Sequence, residues 1–106
     1  FSDSPKEYVS VYTKEDAKLY GERAAVSNIT DMGFMFGYAT SFNQDISSWD
    51  VSNVTDMNYM FYNATSFNQD LSGWCVSKIP TKPDNFDLSA TAWNKSRPVW
   101  GTCPRG

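Results

Sequence analysis

Hydrophobic and polar positions along this chain recur with a period of 25. Val26 to Asp50 reads VSNITDMGFMFGYATSFNQDISSWD and Val51 to Cys75 reads VSNVTDMNYMFYNATSFNQDLSGWC, with 17 of the 25 paired positions identical. Several of the others are conservative, such as Ile29 with Val54 and Ile46 with Leu71. A fixed period in the twenties marks stacked units, each burying its apolar face only against its neighbours. Within a repeat, Met32, Met35, Phe36 and Ala39 fall at i, i+3, i+4 and i+7, as do Met57, Met60, Phe61 and Ala64. That spacing predicts a helix of two turns at most. Asn53 or Thr55 would supply its N-cap, Asp31 and Asp56 would lie in the first turn, and Gly37 and Asn63 suit its end. Ser47 to Ser52 alternates instead, with Trp49 and Val51 on one side and Ser48, Asp50 and Ser52 on the other, which predicts a short strand. Phe42 and Ile46, with their equivalents Phe67 and Leu71, turn the chain back under the repeat.

One strand, one turn and one helical segment per repeat is the leucine-rich-repeat plan, with Trp, Phe and Met replacing much of the leucine. The predicted fold class is therefore α/β: a short leucine-rich-repeat-like solenoid with one short strand and one short helix per 25-residue coil, capped at both ends. Stacking would set Trp49 over Trp74, Phe42 over Phe67 and Met57 over Met32, with strands pairing in parallel about 4.8 Å apart. The register decays outward. Ala17 and Ala24 stand at the positions of Phe42 and Trp49, and Pro80 falls where Thr30 and Thr55 stood. Residues 1–106 thus read as a single module: an N-terminal cap at 1–25, two full repeats at 26–75 and a C-terminal cap at 76–106. In the first cap, Ser4-Pro5-Lys6-Glu7 has the form of a capping box while Tyr8 to Tyr12 alternates like a strand, and the two readings compete. Thr13 to Tyr20, ended by Gly21, predicts a helix. The second cap holds four of the five prolines and predicts mostly loop, with one helical turn near Leu88 to Trp93.

Composition narrows the chemistry. A chain of 106 residues suits one domain, and 16% aromatic content means that a few large side chains cover the interior. A net charge of -3 argues against electrostatic nucleic-acid binding. No apolar run approaches the roughly 18 residues of a membrane span. With no initiator Met and no apolar leader, Phe1 is expected to begin a processed or excised fragment. There is no His, which removes the commonest general base and metal ligand. Cys75 and Cys103 have neither Cys-x-x-Cys spacing nor a His partner, so a structural disulfide in an oxidising compartment is expected. It would close 28 residues, worth about 3 kcal/mol in the chain-entropy model. Cys75 replaces the outward Asp50, so the bridge should tie the C-terminal cap across the end of the ladder.

The stretches NVTDMNYMFYNATSFNQDLSGW and SFNQDISSWDVSNVTDM resemble those of the BspA-like leucine-rich-repeat surface proteins, over Asn28 to Val76. Two tandem copies keep the Asn-x-Thr-Asp-Met, Met-Phe, Ser-Phe-Asn-Gln-Asp and Trp elements. The tail WCVSKIPTKPDNF…PVWGTCP is similar to caps on such arrays. The resemblance implies a secreted or cell-surface protein engaged in adhesion or partner recognition. Two full repeats offer a small face, which argues against a large protein partner unless the parent chain is longer.

Several functions compete for the polar positions. Stacking would align Asp45 with Asp70 and Asn43 with Asn68, an oxygen set suited to calcium, although such side chains also hydrogen-bond turn backbone in solenoids. Paired carboxylates can run acid–base chemistry, but repetition accounts for each Asp, so the chain reads as non-catalytic and without a cofactor. A flat repetitive face could bind ice, yet no Thr-x-Thr array is present. A recognition role would use Ser48, Asp50 and Ser52, extended by Tyr38, Tyr59 and Tyr62, towards a protein or glycan ligand; tyrosine gives large contact area at low entropic cost. The plainer alternatives are tyrosines that shield the backs of the helices, and a structural spacer or stalk. Sequons occur at Asn28, Asn53, Asn63 and Asn94.

Overall fold

The computed structural model describes residues 8–104; Ser4 to Glu7, the competing capping box, lie outside them. Among the described residues, regular secondary structure is confined to the N-terminal cap. Strand β1 (Val9–Ser10) pairs in parallel with β2 (Ala24–Ala25), and Val9 faces Ala24 in that register. Between them run helix α1 (Lys14–Tyr20) and a 3-10 turn (Gly21–Arg23). The helix forms where its sequence predicts. Thr13 accepts the amide of Asp16 as N-cap, Glu15 and Asp16 occupy the first turn, and Gly21 closes it at φ 54°. Ala17 is the residue α1 buries. The alternating segment from Tyr8 supplies β1, though only two residues of it pair.

The repeats differ from the helix-and-strand expectation. Met57 to Ala64 and Met32 to Ala39 run as successive turns, not helices. The cause lies in the amides. Those of Met35, Gly37 and Ala39 bond locally to the carbonyls of Met32, Phe34 and Phe36. Those of Met32, Phe34, Phe36 and Tyr38 instead donate to Asp56, Asn58, Met60 and Tyr62 of the next repeat, at 2.7–3.0 Å. An α-helix would consume all of them locally. The sharing requires residues that redirect the chain, and Phe34, Tyr38, Tyr59 and Asn63 take φ of 57–61°. Ser47 to Ser52 keeps its expected sidedness, with Trp49 and Val51 buried and Ser48 and Asp50 exposed. It does not form a strand, because Asp45 and Asp50 each fold the chain into a turn: each carboxylate accepts both the amide and the hydroxyl of the Ser two residues on. Parallel pairing between the repeats falls elsewhere, as an isolated bridge of Asp31 with Asp56.

The core follows the repeat closely. Met32, Met35, Phe36, Ile46, Trp49 and Val51 are buried, as are Met57, Met60, Phe61, Leu71, Trp74 and Val76. Phe42 stacks on Phe67, with centroids 5.7 Å apart and planes 3° from parallel. Each buried indole is satisfied by the segment before it: Trp49 Nε1 donates to the Gly21 carbonyl and Trp74 Nε1 to that of Ile46, exactly one repeat later in both partners. Among the described residues no polar or charged side chain is buried.

The C-terminal cap is more regular than its prolines suggest. After a one-residue insertion, Ala90-Thr91-Ala92-Trp93-Asn94 repeats Ala64-Thr65-Ser66-Phe67-Asn68 at a spacing of 26, and Trp100 answers Trp74. The amides of Tyr59, Phe61 and Asn63 donate to Asp84, Phe86 and Leu88, as those of Phe34, Phe36 and Tyr38 do one repeat earlier. The helical turn expected near Leu88 to Trp93 is a pair of turns. At this spacing Asp87 takes the place of Phe61, and Arg97 that of Leu71. They form an ion pair at 2.9 Å, with Lys82 on the other carboxylate oxygen and the guanidinium 4.4 Å from the Trp93 ring. The disulfide joins Cys75 to Cys103 and, with the Val76 amide on the Thr102 carbonyl, ties the tail to the second repeat.

Candidate recognition surface

The six residues singled out for recognition divide between two places. Ser48, Asp50 and Ser52 line a groove of about 280 Å³ together with Gly73, Cys75 and Cys103. Two of them already serve the turn: Ser52 donates its amide and hydroxyl to the Asp50 carboxylate, and those bonds hold Asp50 below the usual carboxylate range. Cys75 sits where that aspartate would recur, so the disulfide replaces a turn-forming carboxylate at the groove's edge.

Tyr38, Tyr59 and Tyr62 come together, and Phe34 joins them. Phe34 stacks on Tyr59 with centroids 4.5 Å apart and planes 9° from parallel. Tyr62 meets Tyr59 edge-on at 5.4 Å and Tyr38 edge-on at 5.3 Å. Phe34 is 53% exposed and Tyr38 63% exposed. The Tyr38 phenol is raised above its ordinary pKa by its hydrogen bond with Tyr62. The segment behind the tyrosines is not helical; Tyr59 and Tyr62, half-buried, join the exposed Phe34 and Tyr38 in one ladder spanning both repeats. Phe34 had no signal in the sequence beyond its pairing with Tyr59 in the repeat alignment. Three of the four rings stand on backbone with φ of 58–61°, a region that bulky residues rarely enter.

Beside the ladder opens a recess of about 340 Å³, lined by Lys14, Asp31, Phe34, Asp56, Asn58 and Tyr59 among others. The Asp31 and Asp56 carboxylates each accept one backbone amide, from Gly33 and Asn58, through Oδ1. Lys14 Nζ lies 2.7 Å from the Gly33 carbonyl and brings a positive charge from α1 to the same place.

The polar ladder behind the calcium reading is spent on backbone. Asn43 Oδ1 accepts from the Asn68 amide and from Gln69 Nε2, and Asn68 Oδ1 accepts from the amides of Asn94 and Lys95. Asp70 accepts from both groups of Ser72, which lowers its pKa, and Asp45 accepts the amide and hydroxyl of Ser47. These residues tie one repeat to the next or close its turns. Among the described residues no group of three or more acidic or sulfur ligands converges.

No curated protein and no solved structure matches this chain. A family model described as "Mycoplasma protein of unknown function, DUF285" matches residues 12–102, from the cap before α1 to the end of the degenerate third repeat. That span takes in both full repeats and the aromatic ladder, and the chain belongs to the DUF285 family.

Proposed function

We propose that this chain is a non-catalytic recognition module of a secreted or cell-surface protein, built as a short solenoid of 25-residue coils and related to the BspA-like repeat proteins. Its ligand, a protein or a glycan, contacts the ladder of Phe34, Tyr59, Tyr62 and Tyr38. One observation carries the reading. Bulky aromatic rings stand at φ above 50° at Phe34 and Tyr38, which are exposed, and at Tyr59, which is half-buried, while the corresponding cap positions hold Asn85 and Ser89. A left-handed backbone costs an ordinary L-residue about 1–2 kcal/mol, and Asn or Gly would relieve it. Keeping aromatics there is costly for folding, as strained positions at binding sites are. An exposed aromatic array offers the stacking area that interfaces favour. The solenoid reading draws support from backbone bonds that recur between repeats and from the indole bonds that shift with them. A disulfide favours an oxidising location, and no helix among the described residues is long and apolar enough to cross a membrane.

The test is a joint screen of the oxidised chain on glycan and peptide arrays, repeated with Tyr38→Asn combined with Tyr62→Ala. Selective binding that the double variant loses supports the reading. Silence on both arrays points to a spacer or stalk, and binding indifferent to the two tyrosines moves the site to the groove of Ser48 and Asp50.

A further inference from the structure

Resting on that recognition reading, we infer that the recess beside Phe34 and Tyr59 takes a neutral saccharide. The argument begins with what its walls offer. Phe34, 53% exposed and stacked through one face on Tyr59, offers apolar ring surface, which suits the C–H face of a pyranose ring. Around it stand acceptors and donors in mixed order. Asp31 and Asp56 each use only Oδ1 within the described residues, so each keeps an oxygen to accept a hydroxyl. The two carboxylates converge: a methyl group placed on Gly33 would lie 3.2 Å from Asp31 Oδ1 and 3.4 Å from Asp56 Oδ1. Asn58 spends its Oδ1 on the Asp84 amide, which leaves its Nδ2 as a donor. Lys14 spends one ammonium proton on the Gly33 carbonyl and holds two more.

Charge selects among ligand classes. A cationic peptide would profit from Asp31 and Asp56 but meets the Lys14 ammonium in the same recess. An anionic glycan would profit from Lys14 but meets two carboxylates. A neutral polyol pairs with all of them, since each hydroxyl both donates and accepts. Few convergent polar groups beside an apolar wall is the ordinary composition of a small-molecule site.

The experiment is a glycan array carrying neutral, sialylated and sulfated oligosaccharides, run beside a peptide array, with hits titrated calorimetrically. Two variants leave the fold in place. Tyr59→Asn puts at φ 61° the residue type that Asn85 places at 52° one repeat later, and Asp56→Asn keeps an acceptor for the Asn58 amide. We expect neutral oligosaccharides to bind, each variant to weaken them about tenfold or more, and added salt to leave the affinity unchanged. Peptides or charged glycans binding through Tyr59 would sink the saccharide assignment and leave the recognition module standing. Neutral glycans that bind equally well to Tyr59→Asn would place the site elsewhere. No binding on either array would remove both readings.

Discussion

At the scale of single residues, Gly21 and Tyr38 both carry backbone that most side chains avoid, for opposite reasons. Gly21 ends α1 at φ 54°, and a methyl group there would lie 2.0 Å from Gln44 Oε1, which accepts the Glu22 amide. Gly21→Ala should therefore cost about 1–3 kcal/mol from clash and strain together. In a Gln44→Ala background the cost should shrink to the strain alone, read from urea midpoints at constant m; an undiminished cost would mean the side chains had already moved apart. Tyr38, at φ 60°, is the reverse case, for its equivalent Asn63 adopts φ 57° with a side chain suited to it. Tyr38→Asn should leave stability unchanged or raise it by up to about 1 kcal/mol, the strain relieved offsetting the lost edge contact with Tyr62. A loss above about 1 kcal/mol would show that the ring packs more than it strains. The sequence discloses which residues repeat and which are buried, since burial follows from apolar spacing. It does not disclose positive φ at Phe34 or Tyr59, because nothing in an aromatic side chain announces a left-handed backbone. The ladder was legible only as tyrosines at variable positions, not as a contiguous surface.

At the scale of elements, the i, i+3, i+4, i+7 spacing marks the right faces but the wrong secondary structure. Successive turns bury the same residues as a short helix would, and they free every second amide to bond the next repeat. Periodicity reports burial, so it cannot separate the two when the segment is short. The isolated α1 was legible because its caps, Thr13 and Gly21, are local signals. In the C-terminal cap, four prolines and one inserted residue hide a third repeat whose apolar positions persist as Phe86, Ala90, Trp93 and Trp100. Its end is electrostatic. Burial alone would raise the Asp87 pKa, but hydrogen bonds and charge from Lys82 and Arg97 outweigh it, and the net shift is downward. A depressed carboxylate contributes stability above its unfolded pKa of about 3.9 and loses it as pH falls through the folded value. Asp87→Asn should lower stability at neutral pH and flatten its decline below about pH 4. Thermal midpoints taken from pH 7 to pH 2 check this: curves for parent and variant that stay parallel would show that the pair contributes nothing. Asp50 and Asp70 are depressed as well, so the variant's curve should flatten without becoming level.

At the scale of the whole molecule, the two ends of the stack are unlike, and the difference governs whether copies join. Each repeat offers amides toward the next, and in the third repeat, within the described residues, no backbone carbonyl accepts the amides of Asn85, Asp87 and Ser89. Such an open edge is a template for pairing with another chain. The chain blunts it by putting charge where the full repeats put hydrocarbon, Asp87 for Phe61 and Arg97 for Leu71, with Lys82 closing the network and the disulfide securing the tail. Restoring the repeat residues through Asp87→Phe with Arg97→Leu should extend the apolar face to the edge while leaving its amides unpaired. The double variant should then self-associate, its weight-average mass by sedimentation rising with concentration relative to the parent. Folding is tracked in the same samples by the near-ultraviolet signal of the buried Trp74 and Trp93. Association with that signal retained locates the barrier to stacking in the ion pair. A folded double variant whose mass matches the parent's at every concentration would mean that the tail held by Cys75 and Cys103 closes the edge by itself, and adding Cys103→Ala would then be the change that opens it.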